Sequence, residues 1–182
     1  MIEPYLDNLE KRITPEIEDA LQAEWESFTE GHFGGEIFSP RRTAKSPPGI
    51  AWPQVSVNRA QVDPDAMVLQ QYGVCSEHLA QGSGGLMMVR ANFGTGIMPT
   101  LFGAELFIMD ESLDTLQTTK PLGAQAMEAL VERGIPPMEA GLGATVLATG
   151  RRFAEIARQY PKIGKYVQIY HPDMQGPMDI CE

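Results

Sequence analysis

Tyr166-Val167-Gln168-Ile169-Tyr170-His171-Pro172-Asp173-Met174-Gln175-Gly176-Pro177-Met178-Asp179-Ile180 is the stretch on which the reading of the fold turns. Its first five residues mix apolar and polar side chains of β-branched and aromatic type, the pattern of a short buried strand. His171-Pro172-Asp173 breaks that strand, because proline has no N–H and drives its predecessor out of the helical region. Pro177 then suits the first turn of a helix. The segment therefore predicts strand, tight polar loop, helix start, with His171, Asp173, Gln175 and Gly176 at the carboxyl end of a strand, where α/β folds place their chemistry. The sequence stops three residues after Asp179, inside the expected helix, which suggests part of a larger fold.

Working back along the chain, two further strands are expected. Leu86 to Val89 is a continuous apolar run, as in a strand covered on both faces. It opens into Arg90-Ala91-Asn92-Phe93-Gly94-Thr95-Gly96. Ile50 to Val57 supplies β-prone Ile50, Trp52, Val55 and Val57 and runs into Asn58-Arg59, although Pro53 is a poor strand residue. Between them, Asp63-Pro64-Asp65 opens a helix with Met67, Val68, Tyr72, Cys75 and Leu79 on its apolar side and Gly82 at its end. An earlier helix starts at Thr14-Pro15-Glu16, carries Ile17, Leu21, Trp25 and Phe28, and closes at Gly31. Helices are also predicted over 97–102, 124–132 and 145–160, with a small strand over 104–109 and an acidic, threonine-rich loop over 110–121. Strands alternating with helices argue for βα units and a mostly parallel sheet.

The 182 residues carry a net charge of −10. That balance disfavours nucleic acid, which is met by clustered basic surfaces, and an anionic membrane face. The N-terminus lacks the basic and apolar regions of a signal peptide, so a cytoplasmic location is expected, with Cys75 and Cys181 as free thiols. Gly94-x-Gly96 and Gly141-x-Gly143 lack a third glycine or a following lysine and read as turns. Cys75-Ser76-Glu77-His78 has the spacing of half a zinc site but lies within a helix with no second half nearby. His171, Asp173 and Cys181 are too loosely spaced to point to a metal. Arg41-Arg42, in the long loop from Gly31 to Pro53, reads best as a solvated basic turn, with an anion grip as the alternative. His171-Pro172-Asp173 is open between a proton-transfer pair and a turn whose aspartate caps the next helix.

Arg90-Ala-Asn92-Phe-Gly-Thr-Gly-Ile-Met-Pro99, Leu101-Phe-Gly-Ala-Glu-Leu106 and His171-Pro-Asp-Met-Gln-Gly-Pro-Met-Asp-Ile180 resemble the N-terminal part of the uroporphyrinogen decarboxylase superfamily. That superfamily also contains the corrinoid and coenzyme M methyltransferases. The resemblance runs from about Ile50 to the C-terminus. It implies the N-terminal part of a (β/α)8 TIM-type barrel over 50–182, behind a helical extension and long loop over 1–49. It implies substrate contacts at Asn58, Arg59, Arg90, Asn92, Phe93, Gln175, Gly176 and Asp179, with His171 and Asp173 handling protons.

The implied ligand is a tetrapyrrole, or a small methyl donor used with a corrinoid. The alternative is a non-catalytic corrinoid- or tetrapyrrole-binding subunit. Uroporphyrinogen decarboxylases proper carry Arg-Gln-Ala-Gly-Arg after the first strand. Here Val57-Asn58-Arg59-Ala60-Gln61 offers one arginine, which sets the chain apart from strict uroporphyrinogen decarboxylation. No cofactor is expected from these residues; the methyltransferase zinc is held by His and Cys residues of the barrel's later half. Three strands would leave an exposed edge, so a fragment or pairing with a second copy is expected.

Overall fold

The computed structural model describes residues 1–174. They form two compact units, neither of them one continuous stretch of chain. The first comprises Met1–Val55, Val68–Val89 and Phe153–Tyr170. The second comprises Ser56–Met67, Arg90–Arg152 and the described residues from His171 onward.

The first unit opens with α1 (Glu3–Arg12), which the sequence reading passed over. Ile2, Leu6, Leu9 and Ile13 recur at helical spacing and are all buried, so α1 lays a full apolar stripe into the core. Arg12 ends that stripe as a buried cation, donating to the carbonyls of Ser46 and Ser76. α2 (Pro15–Thr29) follows, with Leu21 buried and Phe28 at its exposed end. The apolar side of α4 (Pro64–Gln81) is the one the sequence predicts: Met67, Val68, Tyr72, Cys75 and Leu79 are all buried. Tyr72 meets Phe153 of α7 (Gly143–Gln159) edge-on, with ring centroids 5.9 Å apart.

Strand β1 (Met87–Val89) pairs in parallel with a strand over Val167–Ile169, in the register Met87↔Val167, Met88↔Gln168, Val89↔Ile169. The Tyr170 N–H extends this ladder to the Val89 carbonyl at 2.8 Å. Among the described residues the sheet is not covered on both faces: Met87 and Val89 are buried, while Met88 and Ile169 are nearly half exposed. The Val167–Ile169 strand is delivered by α8 (Pro161–Tyr166), whose first-turn N–H groups at Lys162 and Ile163 both donate to the Glu10 carboxylate at 2.9 Å. A carboxylate there satisfies orphan donors at the positive end of a helix.

The long loop from Gly31 to Pro53 is tied down by Arg42. Its guanidinium meets both Glu18 oxygens, at 2.7 and 2.8 Å, and also donates to the Ser83 and Gly85 carbonyls. Arg42 and Glu18 are both buried. Arg42 is therefore neither a solvated turn nor an anion grip; its charge is spent inside the fold.

In the second unit, α3 (Val57–Val62), α5 (Ile97–Leu101) and α6 (Ala124–Arg133) accompany an antiparallel pair, β2 (Leu106–Phe107) and β3 (Thr118–Thr119). The strand over 167–169 is thus β4. Ala91, Phe93, Ile97, Leu101 and Ala104 form the buried centre. The predicted loop over 110–121 holds a short 3-10 turn at Glu111–Leu113 as well as β3. The Gly141-x-Gly143 pair serves packing: a Cβ at Gly141, which has φ +50, would lie 2.4 Å from the Thr100 carbonyl oxygen.

Two expectations are overturned. The strand predicted over Ile50–Val57 does not form; the segment runs without ladder bonds into α3, where the Ser56 hydroxyl accepts the Arg59 N–H as an N-cap. Pro53 cannot donate to a ladder, and a serine ahead of Val57 starts a helix instead. The part-barrel is overturned with it. The described residues hold four short strands in two separate two-stranded sheets, one parallel and one antiparallel, and no barrel.

Candidate functional site

Arg90 directly follows β1, and Asp173 follows β4 after the link Tyr170-His171-Pro172. Arg90 Nη1 lies 2.5 Å from Asp173 Oδ1, a charge-assisted hydrogen bond between two side chains about a third exposed. The ion pair joins residues 83 positions apart, so it is a product of the fold and not of local sequence. His171 is exposed, and its Nδ1 lies 2.8 Å from the Pro172 carbonyl oxygen. A carbonyl can only accept, so Nδ1–H is the donor of that contact. Asp173 Oδ1 is engaged by Arg90.

The other candidates fall in different places. Asn58 and Arg59 lie on α3 and not at a strand end. The Asn58 backbone N–H donates to Asp114 Oδ1 at 3.2 Å and its Nδ2 to the Glu111 carbonyl at 3.0 Å. Arg59 pairs with Asp63 one turn on, at 3.3 Å, in the open. The Ala66 N–H, and after it the Arg59 side chain, hold the Asp63 carboxyl below its ordinary value, and Asp63 also caps the start of α4. Phe93 is buried in the unit's centre. Gln175, Gly176 and Asp179, together with Cys181, lie outside the described residues.

Asn92 is joined by a residue the sequence reading did not single out. Gln61 Nε2 donates to the Asn92 carbonyl at 2.7 Å, while Gln61 Oε1 and Asn92 Oδ1 are both buried without a hydrogen-bond partner among the described residues. Each of these amide oxygens is a buried acceptor with no donor to satisfy it among the described residues. The only hint in sequence was that Gln61 falls one turn after Asn58 on what proved to be a helix.

Cys75 and His78 do not converge. Burial pushes the Cys75 thiol up to about 12, and its Sγ faces the Met88 carbonyl at 3.5 Å. His78 Nδ1 meets Ser83 Oγ at 2.8 Å, and burial, with Arg42 second, lowers its pKa. Among the described residues no group of three or more His, Cys, Asp or Glu side chains is placed to hold a metal ion. No helix among them is long and apolar enough to cross a membrane. No family model, curated protein or solved structure matches the chain.

Proposed function

We propose that the chain is part of an enzyme of the uroporphyrinogen decarboxylase kind, acting on a tetrapyrrole or in corrinoid-linked methyl transfer. The observation that carries the reading is the Arg90–Asp173 ion pair, made by the loops that follow two neighbouring parallel strands. The sequence resemblance from Ile50 onward supplies the substrate class. In this reading Arg90, a planar cation, takes a carboxylate or other anionic arm of the macrocycle, and Asp173 fixes the plane of its fork. Asn92 orients the ligand by hydrogen bonding, and His171 handles a proton.

One arginine cannot neutralise a substrate with many carboxylates, and Arg59 is already paired with Asp63. That favours a less highly charged macrocycle over uroporphyrinogen itself. The test is an absorbance titration of the full chain with hydroxocobalamin and, separately, with coproporphyrin. Saturable spectral change with one of them, weakened at least tenfold by Arg90→Ala and less by Asp173→Asn, is expected. A wild-type chain that changes neither spectrum overturns the reading.

A further inference from the structure

In the first unit, four aromatic rings gather where α2 runs into the loop that starts at Gly31. Phe28 and Phe38 stack with centroids 4.1 Å apart, and Trp25 and Phe33 each meet both of them edge-on, at 4.9 to 6.2 Å. The Trp25 indole N–H donates to the Gly84 carbonyl at 2.8 Å, which anchors the cluster to the fold. Holding the loop against α2 accounts for the inner pair, Trp25 and Phe38, which are half-buried. It does not account for the outer layer: Phe28 is 40% exposed, Phe33 39%, and Ile37, next to Phe38 in the chain, 82%. Rings that order one another and stay open to solvent make a preformed apolar patch, the kind of surface that carries binding energy.

The charges around the patch have one sign. From residue 24 to residue 40 the chain holds Glu24, Glu26, Glu30 and Glu36 and no lysine or arginine. All four glutamates are exposed. Glu24 lies one helical turn before Phe28, so the two share a face of α2. Glu30 closes α2, and Glu36 follows Gly35, where a Cβ would come 2.5 Å from the Phe33 ring. Of the four carboxylates only that of Glu30 has an ionic partner among the described residues, His32 Nδ1 at 3.4 Å. Arg42 is spent on Glu18, which leaves Arg41 as the nearest available cation along the chain. A second copy would set glutamates against glutamates, and an anionic lipid surface would be repelled in the same way. We propose that this patch docks a basic amphipathic segment of another protein, with apolar side chains on the rings and arginines or lysines among the glutamates.

The test follows fluorescein-labelled peptides by anisotropy against the full chain at an ionic strength of about 0.15 M, where loose attraction to an acidic protein is screened. Three probes are compared: Leu-Arg-Arg-Leu-Leu-Arg-Arg-Leu, the same peptide with serine for leucine, and the same with glutamate for arginine. Saturable binding of the first is expected, with each of the others weaker by about tenfold or more. Ile37→Ser and Glu30→Gln/Glu36→Gln should each weaken it by about tenfold, while Glu128→Gln/Glu132→Gln on α6 leaves it unchanged. The side chains changed are all exposed, so each variant should keep the wild-type melting temperature. The proposal is overturned if the leucine–arginine peptide does not bind saturably, or if the serine peptide binds as well, since charge alone would then suffice. Binding insensitive to Ile37→Ser, or weakened as much by the α6 variant, also overturns it. Sedimentation in which copies of the chain associate and Ile37→Ser separates them would give the patch to a second copy and overturn it as well.

Discussion

Removing either member of the Arg42–Glu18 pair strands the other's charge in an interior that water does not reach. Both side chains are under a tenth exposed and are joined at two oxygens. Loss of one partner from a buried pair costs about 3–5 kcal/mol, because the remaining ion has no solvent to return to. Glu18→Gln and Arg42→Met should each lower the unfolding free energy by that order, read as a lower urea midpoint at unchanged slope. The double replacement Glu18→Leu/Arg42→Met should recover a large part of the loss, since it removes the stranded charge. A double variant as unstable as the sum of the singles would show that packing, and not charge, sets the cost. In sequence Arg42 looks like half of a solvated basic turn because its partner sits 24 positions away on a helix. Arg90 and Asp173 are the same problem on a larger scale. The two residue types were legible as polar groups after apolar runs, but their pairing across 83 positions was not.

At the scale of elements, α8 is six residues long, contains Gly164, and is held by groups it does not own. Its N-terminus is capped from α1 by Glu10, whose two oxygens take the Lys162 and Ile163 N–H groups. Glu10→Ala should therefore destabilise the fold by about 1 kcal/mol, the usual worth of an N-terminal cap, while Glu10→Gln keeps part of it. Thermal melts of the two variants check this; equal melting temperatures for Glu10→Ala and wild type would remove the cap from the account. Gly164→Ala should do more harm, because the added Cβ would sit 2.2 Å from the Ala157 carbonyl oxygen of α7, and a backbone atom cannot swing away. A loss of roughly 1–3 kcal/mol is expected for such overpacking.

These contacts explain which elements were readable. α4 carries its own signal, an aspartate cap, a proline in the first turn and five buried apolar residues on one face. α1 carried one too, in Ile2, Leu6, Leu9 and Ile13, hidden among charged residues. α8 has almost none of its own, because a short glycine-containing helix is stabilised by tertiary contacts and not by propensity. The sequence leading into α3 reads as a strand and its end, since Val55 and Val57 are β-prone whether or not a neighbouring strand exists to pair with them.

For the molecule as a whole, the buried titratable groups set a window of pH in which the fold is most stable. His78 is held below its ordinary value of 6.5 by burial and by Arg42. The unfolded chain therefore binds more protons than the folded one just below that value. The stabilising contribution is complete above 6.5 and is lost as pH falls through the folded pKa. Cys75 works on the other side. Burial holds its thiol protonated up to about 12, against 9.0 for the unfolded side chain. Above 9.0 the unfolded state sheds a proton that the folded state keeps, so stability falls with rising pH, by up to about 1.4 kcal/mol per pH unit from this group. Tyr72, also raised by burial, adds to the same alkaline slope from its ordinary value of 10.0. Urea midpoints measured across pH should show a plateau between about 6.5 and 9 and a decline on each side. Cys75→Ala should lower the plateau, because it leaves a small cavity, and flatten the alkaline decline. His78→Gln should flatten the decline just below 6.5 and leave the alkaline one in place. An alkaline slope that Cys75→Ala does not change would mean that the thiol ionises as readily in the folded chain as in the unfolded one, and would overturn the role given to its burial.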